Sequence, residues 1–249
     1  MVAARRQRAA AALASVVDAQ IEPVREDPGL PVLPALHGLL PGLRRGQVVE
    51  VDGTGALALA LLAAPSQDGS WCGVVRMPEL GVAAAAELGC NIDRLLLVDE
   101  PGERWVDVTA ALLESADVVL LQPPARPPTG VVRRLVALAR KSGSALVVAG
   151  GWEGSSLRLK VESSSWSGID QGHGRLRSRR VKVVASGRMV GGRPRTAWLW
   201  LPGPDGSVSN ADLASVASME ERLAARAAAV GGDDTEPTGD DATSPAEVA

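Results

Sequence analysis

Between Val48 and Ala149, short apolar runs alternate with stretches of helical spacing. Val48–Val51 precedes Ala56–Ala64, Cys72–Val75 precedes Val82–Leu88, Leu95–Val98 precedes Trp105–Leu113, and Val118–Leu121 precedes Val131–Lys141, with Ala145–Ala149 last. Apolar runs this short and this continuous suit strands covered on both faces, and a helix between successive strands is what a parallel neighbour needs for its crossover. The pattern predicts an α/β fold with a mainly parallel sheet flanked by helices.

After Gly150 the rhythm changes. Leu157–Glu162, Arg180–Ala185 and Thr196–Leu201 follow one another with no helix between them, separated by Gly-, Ser- and Arg-rich segments that read as turns. These are expected to be C-terminal antiparallel strands added to one side of the sheet. Leu13, Val16, Val17 and Ile21 lie at helical spacing before prolines 23, 28, 31 and 34, which gives residues 1–34 as an N-terminal helix and a proline-rich connection. The core is assigned to 35–202. Residues 203–230 hold a loop and a final helix, opened by a capping box at Ser209 to Asp212 and carrying Leu213, Val216, Leu223 and Val230 on one stripe. Residues 231–249, acidic and rich in Thr, Pro and Gly, are expected to be disordered.

A chain of 249 residues is long enough for a sizeable core. No apolar run approaches the roughly 18 residues that cross a bilayer, and Asp18, Gln20 and Glu22 interrupt the basic N-terminus, so neither a membrane span nor a signal peptide is expected. With Cys72, Cys90, His37 and His173 as its only cysteines and histidines, the chain offers no disulfide framework, no metal cluster and no Cys/His or Ser/His/Asp constellation. A cytoplasmic protein without a metal is the expectation.

The stretch GQVVEVDGTGALALALLAAP, Gly46 to Pro65, has the outline of a phosphate-binding loop: a buried strand, a turn with two glycines, then an apolar helix. Such a loop holds phosphates on backbone N–H groups and needs a lysine for the outer phosphates and a hydroxyl for magnesium. Here Gly53, Thr54 and Gly55 are followed by Ala56 and Leu57. The frame is present and the reactive side chains are not.

The order of elements and several strings resemble the RecA recombinase family. LPGLRRGQVVEVDG resembles the strand entering that family's Walker A loop, LGCNIDRLLLV its G-x-x-I-D-x-L-L segment, ADVVLLQPP its Walker B strand, and LRLKVE with RRVKVVASGR its late antiparallel strands. The likeness covers about residues 8 to 201 and implies a RecA-like core. Matched position by position, Ala56 stands where the Walker lysine is expected, Leu57 where the magnesium-binding hydroxyl is expected, and Gln122 where Walker B has an aspartate. Glu79, in RMPEL, is displaced from the family's catalytic glutamate. An alanine cannot balance phosphate charge and a glutamine amide does not replace a magnesium-ordering carboxylate, so the resemblance implies a RecA-like fold without effective ATP turnover and no nucleotide cofactor. Only GGWEGSS, around Trp152, fills the place of the family's second DNA-binding loop, which argues against recombinase-style strand exchange.

Arg175, Arg177, Arg179, Arg180, Lys182, Arg188, Arg193 and Arg195 crowd one region with no acid among them. They suit sequence-independent contact with DNA phosphates, an acidic partner surface, or a solvated edge that resists sheet-to-sheet aggregation. Trp198 and Trp200 share a face of the last strand and are expected beneath the C-terminal helix. Among RecA relatives without ATP machinery, the chain resembles the actinobacterial ImuA-prime group, in its short core, N-terminal helix, eroded Walker positions and C-terminal extension. That resemblance implies a noncatalytic adaptor of an error-prone translesion mutasome in the DNA-damage (SOS) response, docking a Y-family-like polymerase subunit through its terminal helices or pairing with RecA-like protomers. A divergent RecA-type ATPase and a DNA-binding repair accessory are the competing readings.

Overall fold

The computed structural model describes residues 29–52, 55–170 and 173–211, with backbone alone at residues 169, 170, 173 and 174. Gly53 and Thr54, the N-terminal helix, the helix with Leu213, Val216, Leu223 and Val230, and the acidic tail lie outside the described residues.

One nine-stranded sheet runs in the order β3-β2-β4-β5-β1-β6-β7-β8-β9. The apolar runs form β1 (Val48–Val51), β2 (Cys72–Val75), β3 (Leu95–Val98), β4 (Val118–Leu121) and β5 (Ala145–Ala149), as their spacing predicts. All their pairings are parallel. β6 (Leu157–Asp170) joins β1 in parallel, and β7 (His173–Ser186), β8 (Arg195–Trp200) and β9 (Ser209–Asn210) continue antiparallel. The helices are α1 (Ala56–Gln67), the short α2 (Val82–Glu87), α3 (Trp105–Ser115) and α4 (Thr129–Ser142).

Strand periodicity divides the core into two layers. Val49, Val51, Val74, Leu120 and Val147 face α1, which is apolar on nearly every side because Leu36, Leu39, Leu40 and Leu43 join the same cluster. Val48, Val75, Val119, Leu121, Leu146 and Val148 face α3 and α4, where Trp105, Leu113, Val132 and Leu135 close the second layer. Leu30 and Val32 are already buried in the first layer, and Leu30 forms an antiparallel bridge to Leu43, so packing begins within the proline-rich connection.

Two stretches depart from expectation. The segments expected as turns on either side of residues 171 and 172 are strand, so β6 and β7 form a hairpin of 14 residues per arm instead of two short strands. Backbone pairing satisfies N–H and C=O groups that a long loop would leave to water, and the ladder resumes after one extra residue on β6 between Val161 and Ser163 and after two extra residues on β7 opposite the step from Ser167 to Ile169. Gly168 has φ 111°, and a side chain there would collide with the backbone of Arg175, so the second irregularity demands glycine. Ser209 and Asn210, read as part of a helix cap, instead pair with Trp200 and Leu199 as β9.

The seven residues between β5 and β6 cross the sheet without a helix. Trp152 takes the helix's place against the second layer and is buried there, with its indole N–H unpartnered among the described residues. Beside it, the buried Glu50 of β1 accepts hydrogen bonds from Arg158 at 2.9 Å and Ser155 at 3.2 Å, tying the parallel strands to the antiparallel ones.

Candidate functional site

In an open parallel sheet, ligands bind beyond the carboxyl ends of the strands, where strand order reverses. That crevice lies here at the ends of β1, β2, β4 and β5. Asp52 leaves β1 exposed, with its backbone N–H held by the Leu159 carbonyl at 2.9 Å. Gly55 caps α1 with extended backbone and contributes no side-chain hydrogen bond. Ala56 is half-buried and Leu57 is 3 % exposed, packed into the first core layer. A side chain committed to the core at this position has neither a charge nor a hydroxyl to offer a phosphate or a cation. Gln122 ends β4, its backbone N–H bonded to the Val75 carbonyl at 3.1 Å and its side chain half-buried.

Next to Gln122, a cavity of ≈ 450 Å³ is lined by Arg76, Met77, Pro78, Glu79, Leu80 and Pro123. Arg76 holds a left-handed backbone at φ 62°, which costs a non-glycine residue on the order of 1 kcal/mol, and its buried Nε has no partner among the described residues. Glu79 and Gln122 thus share one pocket at the ends of neighbouring strands, although Glu79 is offset in sequence. No group of three or more His, Cys, Asp or Glu side chains that would hold a metal occurs among the described residues. The thiols are equally quiet. Burial first, then the neighbouring Cys90 and Asp117, push Cys72 up to about 12, and burial pushes Cys90 up to about 11, so both stay protonated and poorly nucleophilic near neutrality.

The basic residues separate into distinct settings. Arg175, Arg177, Arg179, Arg180 and Lys182 lie on β7, Arg195 opens β8, Arg188 sits in a single 3-10 turn, and Arg193 follows that turn. Arg180 stacks over Trp200 at 4.4 Å from the ring centroid and Lys182 pairs with Glu162 at 2.7 Å. Trp198 and Trp200 are half-buried on that face, opposite Lys182 and Arg180 in the ladder. Arg179 lies 5.7 Å from the exposed Trp166 ring.

A surface that sequence reasoning missed is the outer strand β3. Leu96 and Leu97 alternate to opposite faces and are 37 % and 39 % exposed, with Val82, Ile92 and Trp71 exposed nearby and Arg94 stacked on Trp71 at 5.0 Å. The run LLLV reads as a buried strand, but at the edge of the sheet α2 is too short to cover it. The only sequence signal was the alanine-rich, six-residue helix preceding it.

The profile of the MT3502 N-terminal domain family matches residues 38–154. The uncharacterized protein Rv3395c of Mycobacterium tuberculosis (strain ATCC 25618 / H37Rv) is 32 % identical over 152 residues, spanning 57 % of this chain and 74 % of that protein. The crystal structure of the RadB recombinase superposes with a TM-score of 0.51 over 72 % of this chain and 97 % of its own, at 15 % identity. The last likeness establishes a RecA-like fold. No helix among the described residues is long and apolar enough to cross a membrane.

Proposed function

The chain belongs to the MT3502 family, and from that premise we propose that it is a noncatalytic RecA-like adaptor, of the ImuA-prime kind, in an error-prone translesion mutasome. The observation that carries this reading is the crevice itself: the RecA-like fold is kept while Leu57 is buried in the core and Ala56 and Gln122 fill the positions where lysine and aspartate chemistry is required. Turnover of ATP is not what such a crevice offers. What the fold still offers is surface, and the apolar edge at Leu96, Leu97, Ile92 and Val82 is where a Y-family-like polymerase subunit would dock by adding a strand or an apolar helix.

Co-purification with the Y-family-like protein of the same genome, with an ATP titration on the same preparation, tests the proposal. A stable complex without nucleotide binding supports it. Replacing Leu96 and Leu97 by Glu is expected to abolish the complex while leaving the circular dichroism spectrum unchanged. Magnesium-dependent ATP binding without a complex would overturn it in favour of a divergent ATPase, for which Arg76, Glu79 and Gln122 line a cavity in the crevice.

A further inference from the structure

We propose that the distal half of the β6–β7 hairpin binds single-stranded nucleic acid, with Trp166 as the stacking ring and Arg175 and Arg177 as phosphate contacts. The hairpin outruns its neighbours: β8 pairs with β7 from Ala185 back to Arg180, the Leu201–Pro202 segment exchanges backbone hydrogen bonds with Arg179, and beyond Arg179 no further strand lies beside the two arms among the described residues. Trp166 stands where this free portion begins, opposite Arg179 in the ladder, with 47 % of its surface exposed. Leu176, 52 % exposed, lies on the same free portion. A large ring left in water at the end of a two-stranded ribbon adds nothing to a core.

The ladder places Trp166 beside Arg179, and Arg175 and Arg177 follow on the same arm within the irregularity opposite Gly168. No ion pair among the described residues holds Arg175 or Arg177, and both are exposed. They differ in this from Lys182 and Arg180, which Glu162 and Trp200 already engage. From Ser163 to Ser186 the sequence holds Arg175, Arg177, Arg179, Arg180 and Lys182 against one carboxylate, Asp170, at the hairpin's end. Exposed cations of one sign, in a row beside an accessible indole, fit a ligand with repeating negative charge and flat apolar rings. Unstacked bases supply the rings, and every base has a π-face, so the contact is sequence-independent. A duplex hides its base faces, and an acidic polypeptide lacks the rings.

The test uses the full chain and a fluorescein-labelled oligothymidylate, followed by anisotropy across a salt series. Arg175→Ala with Arg177→Ala is expected to weaken binding and to flatten the log–log salt slope by about 1.4, for two phosphate contacts on a single strand. Trp166→Ala is expected to cost on the order of 10-fold in affinity with the slope unchanged, since stacking releases no counterions. Both positions are exposed, and unchanged thermal melting verifies that the hairpin is folded. An unchanged affinity in Trp166→Ala, absence of oligothymidylate binding by the wild type, or equal competition by polyglutamate would each overturn the proposal, the last by assigning the face to acidic protein. Capture of the polymerase subunit does not depend on Trp166, so this result and the adaptor test fail separately.

Discussion

The parallel strands β1 to β5 and the antiparallel hairpin β6–β7 belong to one sheet and were built to different rules. In the parallel half each strand is four or five residues long, and all but the edge strand β3 are buried at every residue, so its side chains answer to packing. The hairpin has arms of 14 residues with bulges, serines and arginines, and on its distal half Trp166, Arg175, Leu176 and Arg177 are exposed. The family match ends at residue 154, just before the hairpin starts. The difference teaches where to look for what this chain does: the conforming half sets the fold, and the exposed margins on either side of it are free to carry contacts.

The contrast breaks most visibly under truncation. Leu120→Ala, in the middle of β4 and fully buried, is expected to destabilise by about 2–5 kcal/mol in urea unfolding, because a cavity remains where the sheet and α1 meet. Arg158→Ala removes the cation that answers the buried Glu50 across the β1–β6 seam; a loss of about 1–3 kcal/mol by the same measurement would show that the halves are fastened there. Alkaline pH probes the parallel half alone. Cys72 and Cys90 have folded values raised above the unfolded value of 9.0, so their contribution is whole below that value and fades as pH rises through it. The unfolding free energy should fall by about 1 kcal/mol per thiol between pH 8 and pH 10. Smallest of all, Leu176→Ser on the hairpin should change stability by less than about 0.5 kcal/mol, and a larger loss would mean that the hairpin is covered in solution.

The parallel half was legible in the sequence because burial on both faces leaves no polar residue within a strand, and VVEV, CGVV, LLLV, VVLL and ALVVA show that almost without exception. The exception, Glu50, is itself the residue that Arg158 and Ser155 partner. The hairpin was not legible. SSSWSGID has the composition of a loop, and only pairing with a distant segment makes it strand, which no local propensity records. Loss of Walker chemistry could be read directly at Ala56, Leu57 and Gln122, whereas the exposure of Leu96 and Leu97 depends on strand order, which puts β3 at the margin instead of the middle. Trp166 was passed over because a lone ring among serines carries no period; its partner, Arg179, lies 13 residues away and meets it only across the ladder.

The sheet's two margins are unequal. One is the apolar β3, and the other, among the described residues, is the two-residue β9. Among the described residues β9 is too short to pair with β3 of a second copy over any useful length, so of these two outer strands β3 alone offers an edge long enough to meet its own copy. That contact is two-fold symmetric and self-limiting. A pair made that way would close on itself, and the polymerase subunit proposed above would compete with it for the same margin.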